Sequence, residues 1–509
     1  MPEKPPNPPP LPSERSADAA PRVKPRGWFS DQLNIESSSW LISFLVHGTA
    51  LFILGLITVS VESGGDRLNL LAQMNRDEPA RPGIESQPLV VERDLEDGFP
   101  AKSESIEAPS LDAPLDMPRV VVSGDSPSDK PEAAQSTSAP RTEPTKQPSG
   151  KQRTVVMPSG GGWEGRDNRA ELAGMRGGSK QSEEAVERGL NWLAAHQRED
   201  GSFSFDLKKP PCNGKCRNPG TEASATAATG LALLPFLGAG YTHEKGEHQR
   251  TVKRGLYSLG ARAVVTPRGI DLRGGGTMYA QGLAAIALCE AYGMTRDEAL
   301  KDIARGALRF IVHAQNLDGG GWRYTPGEPG DVTVTGWQLM ALRSGQLAKL
   351  EVPSPTVGMV EQFLDSVQTD GGARYRYQIQ RKPEPTTTAV GLLCRMYLGW
   401  GRDRPALYQG VAFLDKWGPS ETNIYYDYYA TQVMHFWEGP EWEKWNRRMR
   451  DHLIAAQANS GHESGSWHFP DQYGDTGGRL YTTAMSLLIL EVYYRHMPLF
   501  EQRAVLERP

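Results

Sequence analysis

The chain has 509 residues, a net charge of −5 at pH 7 and 38 % hydrophobic residues. This length could hold about two or three domains, but only the part after residue 178 is apolar enough to bury a sizeable core. Because no stripe of Lys and Arg stands out, we do not expect the protein to bind nucleic acid.

One apolar segment interrupts the polar N-terminal part of the chain. It reads WLISFLVHGTALFILGLITVSV over residues 40–61, which is long enough at helical rise to span a bilayer. The segment lies too far from the N-terminus for a signal peptide, and no small-residue cleavage site follows it. We therefore predict a single transmembrane helix over residues 39–61.

Basic residues indicate the orientation of this helix. Arg22, Lys24 and Arg26 precede it, whereas the basic residues that follow it are mixed with acids. The positive-inside rule then places residues 1–38 in the cytoplasm as a disordered segment. The rest of the chain is expected in the periplasm, anchored to the inner membrane.

Two polar residues lie one turn apart in the predicted membrane helix. Ser43 and His47 are followed by Leu54 and Thr58, and this spacing resembles the anchor of TonB-type energy transducers, with Thr replacing the last Ser. The resemblance implies that Ser43 and His47 contact a proton-driven motor of the ExbB–ExbD kind. The alternative is a neutral, hydrogen-bonded histidine in an ordinary anchor, although an ionisable residue in a membrane is costly and often functional.

Residues 62–178 have the composition of a linker. Pro, Ser and acidic residues dominate stretches such as STSAPRTEPTKQPSGKQ. Such a composition cannot bury enough apolar surface to offset the entropy of folding. We expect a disordered segment that holds the following domain away from the membrane.

Residues 179–500 repeat with a period of about fifty residues. A helical segment with a Gln near its end, followed by glycines and an aromatic residue, appears as RGLNWLAAHQREDGSF (188–203), RFIVHAQNLDGGGW (309–322), QFLDSVQTDGGARY (362–375) and HLIAAQANSGHESGSW (452–467). A second, more apolar segment follows each copy, and weaker copies complete a set of six. The pattern predicts an all-α domain of six helical hairpins.

The first copy carries Arg-Gly-x2-Trp-Leu-x3-Gln-x3-Gly-x-Phe over residues 188–203. This pattern resembles the QW repeat of squalene cyclases and other proteins with prenyltransferase repeats, the terpenoid cyclase and protein prenyltransferase superfamily. The resemblance implies an α6/α6 toroid in which the second helices form the inner ring. It indicates the fold and leaves the activity open.

The cyclase acid motif is incomplete in this chain. In the cyclases, Asp-x-Asp-Asp-Thr-Ala at the head of an inner helix supplies the catalytic acid, whereas DVTVTG (331–336) places Thr333 and Val334 at the central positions. A hydroxyl group is too weak an acid to protonate an alkene. Asp331 remains the candidate catalytic residue, and the alternative is that Asp331 or Thr333 caps the helix.

The zinc site of the protein prenyltransferases also lacks its ligands. Their Asp-x-Cys corresponds here to Asp427-Tyr428-Tyr429, and Cys289 and Cys394 fall inside helices as core residues. Because we find no set of three metal ligands in the sequence, we expect neither a metal nor another cofactor.

Two cysteines lie in the loop PPCNGKCRNPG. Cys212 and Cys216 could be half of a zinc site, but the chain has no second pair of cysteines. Outside the cytoplasm a disulfide that pins the loop is the favoured interpretation, and free thiols are the alternative.

Aromatic and polar residues gather at the predicted starts of the inner helices. These candidate ligand-binding residues are Tyr279, Trp337, Tyr425, Tyr426, Asp427, Tyr429, Arg479 and Tyr481. Their apolar faces and polar tips suit a lipid, a glycan or a peptide. The sequence thus favours a non-catalytic binding module over the alternative, an isoprenoid- or lipid-modifying enzyme with a non-standard acid.

The orientation can be tested with a reporter fused after residue 509. We expect a reporter that works only in the periplasm to be active, because the positive charges precede the membrane helix. The matched control is a reporter that works only in the cytoplasm, fused at the same place. Activity of the cytoplasmic reporter alone would reverse the orientation.

Overall fold

The computed structural model describes residues 163–496. The predicted membrane helix with Ser43 and His47, and most of the predicted linker, lie outside the described residues. Within residues 163–496, no helix is long and apolar enough to cross a membrane.

The described residues contain fourteen α-helices, of which twelve form six hairpins. A short helix, α1 (Arg169–Arg176), precedes the hairpins and another, α14 (Val492–Arg495), follows them. The first helices of the hairpins are α2 (Lys180–Ala195), α4 (Gln249–Ala261), α6 (Glu298–His313), α8 (Ser354–Val367), α10 (Pro405–Trp417) and α12 (Gly439–Ala456). The second helices are α3 (Ala225–Gly238), α5 (Met278–Thr295), α7 (Val332–Leu347), α9 (Pro385–Tyr397), α11 (Ile424–Trp437) and α13 (Gln472–Leu490).

Within residues 163–496, strands are confined to two small antiparallel ribbons. The strands β1 (Val264–Thr266) and β2 (Gly269–Asp271) pair in one loop, and β3 (Gln368–Thr369) pairs with β4 (Arg374–Tyr375) in another. The described part of the chain is therefore essentially all-α, as the sequence predicts.

The second helices form a closed ring. Helix α3 packs against α5, α5 against α7, α7 against α9, α9 against α11, and α11 against α13, which packs back against α3. The first helices lie outside this ring; α4, for example, contacts both α3 and α5, and α12 contacts α11, α13 and α2. The predicted α/α toroid is thus confirmed, with six inner and six outer helices.

The pattern of buried residues explains why a helix lies in the inner or in the outer ring. Every residue of α7 from Val332 to Gly345 is buried, because an inner helix has neighbours on all sides. The outer helix α6 instead buries one stripe that includes Ile303, Ala307 and Phe310, at helical spacing. The apolar second segments and the amphipathic first segments of the sequence match this division.

The glutamine of the repeat joins three of the outer helices to the next repeat. The Gln197 side-chain amide donates to the carbonyl oxygen of Gly201 in its own loop and to that of Thr251 in α4, both at 2.9 Å. Gln315 does the same with Gly320 (2.7 Å) and Thr356 of α8 (3.0 Å). In the last copy, Gln457 donates to Gly465 and to Ala185 of α2, both at 2.8 Å, and so closes the ring.

The aromatic residue after the glycines joins the outer helix to the inner helix. The Trp322 indole donates to the Ile311 carbonyl of α6 (2.8 Å), while its backbone N–H donates to Thr335 Oγ1 of α7 (3.0 Å). Trp467 makes the same two bonds, to Leu453 of α12 (2.7 Å) and to Thr483 of α13 (3.0 Å). The repeated Thr of the inner segments is therefore a hydrogen-bond acceptor, and it is buried because it has this partner.

Buried ion pairs fill the ring at the C-terminal ends of α3 and α5. The Glu290 carboxylate of α5 forms ion pairs with Arg166 (2.8 Å) and Arg495 (2.7 Å). The same two guanidinium groups donate hydrogen bonds to α3: Arg166 to the Leu237 carbonyl oxygen and Arg495 to that of Leu234. The partial negative charge at these helix ends favours the two cations. Residues 163–178, assigned to the linker from composition, therefore belong to the folded domain. Contacts between residues 124 positions apart leave no local sequence signal.

We expect Gly320→Ala to lower the free energy of unfolding by about 2–4 kcal/mol. Gly320 has a φ of +76°, and a Cβ atom there would overlap the carbonyl oxygen of Met359 in α8. The matched control is Gly327→Ala, with a φ of +78° but nothing within 4 Å of the added atom. It should cost only about 1 kcal/mol. Urea unfolding measures both variants, and equal losses would contradict the close approach of the two repeats.

Candidate functional site

The N-terminal ends of the inner helices meet at one end of the ring, here called the rim. The Tyr279 hydroxyl of α5 lies 2.9 Å from Thr333 Oγ1 of α7. The Asn423 side-chain amide, at the start of α11, reaches Thr386 Oγ1 of α9 at 3.4 Å. The rim is thus formed by residues from the first turns of neighbouring helices.

Partly exposed tyrosines surround the mouth of this rim. Tyr324 and Tyr473 are 39 % and 45 % exposed, and the Tyr324 and Tyr377 hydroxyl oxygens lie 3.1 Å apart. The Tyr473 ring packs 5.6 Å from the ring of Tyr425, and Tyr324 packs 6.2 Å from Tyr279. The mouth therefore offers both aromatic faces and hydroxyl groups to solvent.

Aromatic side chains cross the centre of the ring below the mouth. Trp337 of α7 stacks on Tyr428 of α11, with centroids 5.6 Å apart and an angle of 9° between the rings. Its indole donates to the Tyr425 hydroxyl at 3.0 Å, and the Tyr428 hydroxyl lies 3.8 Å from Met340 Sδ. Since α9 separates α7 from α11 in the ring, these contacts span the interior. The rim above this layer, with its partly exposed tyrosines, is here called the bowl.

Asp331 caps α7 at the edge of the bowl. Its Oδ1 accepts hydrogen bonds from the backbone N–H groups of Thr333 (3.0 Å) and Val334 (2.9 Å), and from the Thr333 hydroxyl (2.7 Å). The cap interpretation is confirmed for Asp331. The carboxylate is 0 % exposed, and the nearest cation to Oδ2 is Arg323 Nε at 3.9 Å. Burial raises the pKa of Asp331 above its usual value, against the opposing effect of these hydrogen bonds.

Four of the predicted ligand-binding residues lie together in the bowl with Trp337. Burial raises the pKa of Tyr279, Tyr425, Tyr429 and Tyr481 well above the usual range, so that their hydroxyl groups stay protonated. The Tyr481 hydroxyl is buried and accepts or donates no hydrogen bond among residues 163–496. A buried hydroxyl without a partner is costly, and a ligand that reaches it would remove the cost.

Two predicted site residues on α11 point away from the bowl. The Tyr426 hydroxyl donates to the Gly418 carbonyl (3.1 Å), and its ring packs edge-on against Trp445 of the outer helix α12. Asp427 accepts from the Ser420 backbone N–H at 2.8 Å. Because successive helical residues are rotated by about 100°, positions 425, 428 and 429 share the inner face while 426 and 427 do not. The structure therefore does not bring Tyr426 and Asp427 together with Trp337 and the rim tyrosines.

Arg479 lies outside the bowl as well. Its guanidinium binds Glu463 (3.1 Å), Ser466 Oγ (3.1 Å) and Asn218 Oδ1 (3.0 Å). These partners belong to the loop after α2 and the turn after α12. Arg479 therefore holds loops together where the first and last repeats meet, and the structure does not bring its guanidinium together with the tyrosines of the bowl.

The mouth tyrosines Tyr324, Tyr377 and Tyr473 are absent from the sequence-based set. Tyr324 and Tyr377 lie in the loops that precede α7 and α9, and Tyr473 lies before the backbone change at Gly478, where φ is +64°. Since each lies a few residues before the inner-helix signature, a search extended into those loops would have included them.

A separate group of four side chains lies where the first and last repeats meet. His196, Cys212, Cys216 and His462 bring their ligand atoms within 4.8 Å of one another. Cys216 Sγ is 3.4 Å from His196 Nε2 and 3.1 Å from His462 Nδ1, and Cys212 Sγ is 3.9 Å from His462 Nδ1. Both cysteines are free thiols in the structure, which differs from the favoured disulfide. Only three-dimensional folding brings the histidines to them.

No protein-family model and no curated protein sequence matches the chain. Among solved structures, the ring is similar to an α-1,6-mannanase from Salegentibacter in complex with α-1,6-mannotriose, with 10 % identity and a TM-score of 0.43 over 61 % of this chain and 98 % of the mannanase. A type II terpene cyclase from Scytonema has 14 % identity and a TM-score of 0.42 over 62 % and 97 %. An α-amylase from Clostridium perfringens has 11 % identity and a TM-score of 0.42 over 61 % and 97 %. These similarities concern the fold.

The stability of the ring should depend on pH through Asp427. Burial raises the pKa of this carboxyl group to about 7, helped by Glu421 and opposed by the Ser420 hydrogen bond and Arg448. The unfolded pKa is about 4. The ionised group therefore destabilises the folded state above pH 7, and the penalty disappears as the pH falls towards 4.

We expect Asp427→Asn to be more stable than the wild type at pH 8, by on the order of 1–3 kcal/mol. Asparagine keeps the acceptor for Ser420 and removes the charge. The difference should shrink at pH 5, where the wild-type carboxyl is protonated. Urea unfolding at the two pH values measures this change, and a constant difference would contradict the raised pKa.

Proposed function

We propose that the toroid is a non-catalytic binding module that holds a glycan in the tyrosine-lined bowl. The observation that carries this proposal is the aromatic layer of Trp337 and Tyr428 across the centre of the ring. Above this layer, the partly exposed rings of Tyr324 and Tyr473 and the hydroxyl pair of Tyr324 and Tyr377 provide a surface to which a ligand can bind.

The same layer argues against cyclisation of an isoprenoid chain. Such a reaction needs a deep apolar chamber that excludes water around a reactive carbocation, together with a strong acid. Trp337, Tyr428 and Met340 occupy the space where that chamber would lie. Thr333 stands where the cyclase motif has its acid, and its hydroxyl binds Asp331 and Tyr279.

The polar groups of the bowl favour a glycan over a lipid. A hydrocarbon chain would leave the Tyr481 hydroxyl without a partner and would desolvate the hydroxyl pair of Tyr324 and Tyr377. A sugar ring offers C–H faces that pack on tyrosine rings and hydroxyl groups that reach these polar atoms. Tyrosine is suited to both contacts because it combines a rigid apolar face with a polar tip.

We further propose that this module works outside the cytoplasm. The support is the sequence alone: the apolar segment 40–61, the basic residues before it and the long polar linker after it. The spacing of Ser43 and His47 supports contact of the anchor with an ExbB–ExbD-like motor. A glycan of the cell envelope would then be the ligand within reach of the bowl.

One observation favours a second candidate function, an enzyme that uses Asp331. Among the described residues, its buried Oδ2 atom makes no hydrogen bond within the usual distance and angle limits, although the Tyr377 side chain interacts with the carboxyl group. Because burial also raises its pKa, Asp331 could act as a general acid towards a lipid or isoprenoid bound in the bowl.

We expect Tyr473→Ala to weaken binding of envelope oligosaccharides about tenfold or more, because it removes an exposed ring at the mouth. The matched control is Tyr408→Ala, which removes a tyrosine that is 59 % exposed on the outer helix α10. The control should bind like the wild type. Titration calorimetry with soluble peptidoglycan fragments and neutral oligosaccharides measures both variants.

Equal binding by both variants would contradict the assignment of the bowl. Binding only to vesicles of extracted envelope lipids would contradict the choice of a glycan. The enzyme alternative is tested by following turnover of the same lipids. If the wild type converts them and Asp331→Asn does not, the enzyme function would be correct and the binding proposal would be wrong. Asparagine keeps the helix cap, and so the fold should be retained.

A further inference from the structure

The spacing of His196, Cys212, Cys216 and His462 matches a tetrahedral metal site. Zinc binds thiolate sulfur at about 2.3 Å and imidazole nitrogen at about 2.0–2.1 Å, which places neighbouring ligand atoms roughly 3.3–3.8 Å apart. Three of the separations between ligand atoms in the group are 3.1, 3.4 and 3.9 Å. A cation between the four atoms would need only small movements of the side chains.

Contacts behind the ligand atoms orient both imidazoles. His196 Nδ1 lies 2.7 Å from the Trp192 carbonyl oxygen, so that this nitrogen donates and Nε2 is left with its lone pair towards the cysteines. The Trp192 indole donates to the His462 carbonyl at 3.1 Å and stacks on the His196 ring, with centroids 3.9 Å apart. One tryptophan of the first outer helix thus positions both histidines.

The four residues come from three segments of the fold. His196 ends α2, Cys212 and Cys216 lie in the loop between α2 and α3, and His462 lies in the turn after α12. Helices α2 and α12 belong to the first and last repeats, which meet to close the ring. A metal bound here would therefore join the two ends of the repeat array and fix the long loop onto the junction.

We propose that His196, Cys212, Cys216 and His462 bind a structural Zn²⁺ ion that closes this junction. Two thiolates and two neutral imidazoles form a borderline-soft donor set that suits zinc, and two cysteines separated by three residues have a spacing found in structural zinc sites. Four protein ligands leave no open position for substrate or water. The ion stabilises the fold and takes no part in chemistry at the bowl.

Burial supports this assignment over a chance cluster. His196, Cys212 and Cys216 are buried, while His462 is exposed. Burying two thiols and an imidazole together is favourable when a cation neutralises the thiolates. Arg479, whose guanidinium interacts electrostatically with both cysteines, is already paired with Glu463 at 3.1 Å. The exposed histidine provides the route by which the ion enters and by which a chelator removes it.

A second group of potential ligands, His243, Glu244 and Asp297, lacks these features. His243 Nε2 binds Asp297 Oδ2 at 2.9 Å, and Asp297 Oδ1 caps α6 through the Ala299 backbone N–H at 3.0 Å. Glu244 is exposed. These hydrogen bonds of His243 and Asp297 explain why the side chains lie together without a metal ion.

The test uses the full-length chain purified through a tag without histidines and without chelators. We expect elemental analysis to give about one zinc per chain. Exchange for Co²⁺ should give the intense visible absorption of tetrahedral cobalt with thiolate ligands. A strong chelator should remove the metal, lower Tm by several degrees and make two additional thiols reactive. Zinc added back should restore the original Tm.

Two variants distinguish the loss of the metal site from a general effect of removing a buried cysteine. Cys216→Ser should lose the metal, and its Tm should no longer respond to the chelator. Cys394→Ala removes a buried cysteine of the inner helix α9 and should keep one zinc per chain. The metal content and the cobalt spectrum are measured on the wild type. They therefore test the zinc site even if Cys216→Ser fails to fold.

Two results would overturn the proposal. A chain without zinc whose Tm and absorption do not change on addition of Zn²⁺ or Co²⁺ would show that the cluster does not bind metal. Two thiols that become reactive only after reduction would show that Cys212 and Cys216 form a disulfide instead. Glycan binding at the bowl is measured separately and does not depend on either result.

Discussion

The toroid depends on one repeated hydrogen-bonding interaction at the ends of its outer helices. The carboxamide of Gln197, Gln315 or Gln457 donates one hydrogen to the glycine loop of its own repeat and the other to the next outer helix. Both acceptors are buried carbonyl groups, so each bond replaces water that cannot reach them. The same side chain thereby fixes the loop and the rotation from one repeat to the next.

This geometry also determines where a ligand can bind. The loops held by the glutamines lead directly into the first turns of the inner helices, where Asp331 caps α7 and Tyr279 meets Thr333. The opposite ends of α3 and α5 are closed by the ion pairs of Glu290. With Trp337 and Tyr428 across the middle, the rim is the open surface that the ring offers, and it is lined by tyrosines.

The sequence predicts the features that recur at a local period. Apolar patterning gave six hairpins, and the all-round apolarity of the second segments distinguished inner from outer helices. The sequence also indicates a cap at Asp331 or Thr333, because capping uses backbone groups two and three residues away. The directions of Tyr426 and Asp427 depend on the register of α11 against its neighbours, which the sequence pattern does not contain.

Long-range contacts explain the other differences. His462 reaches Cys212 across 250 positions in the chain, so the spacing of the cysteines alone could not indicate the histidines. Residues 163–178 look like linker because their composition is polar, whereas Arg166 is held by Glu290 and is buried. The residues that bind the cysteines and Arg166 come close to them only when the whole ring has folded.

The position of Arg166 determines how a mechanical load would enter the domain. Within the described residues, a pull from the N-terminal side first reaches Trp163 and Arg166. The Trp163 ring packs against Gly293 of α5, and Arg166 shares Glu290 of the same helix with Arg495 from the C-terminal end. Force is thus delivered to an inner helix and to both ends of the described chain together.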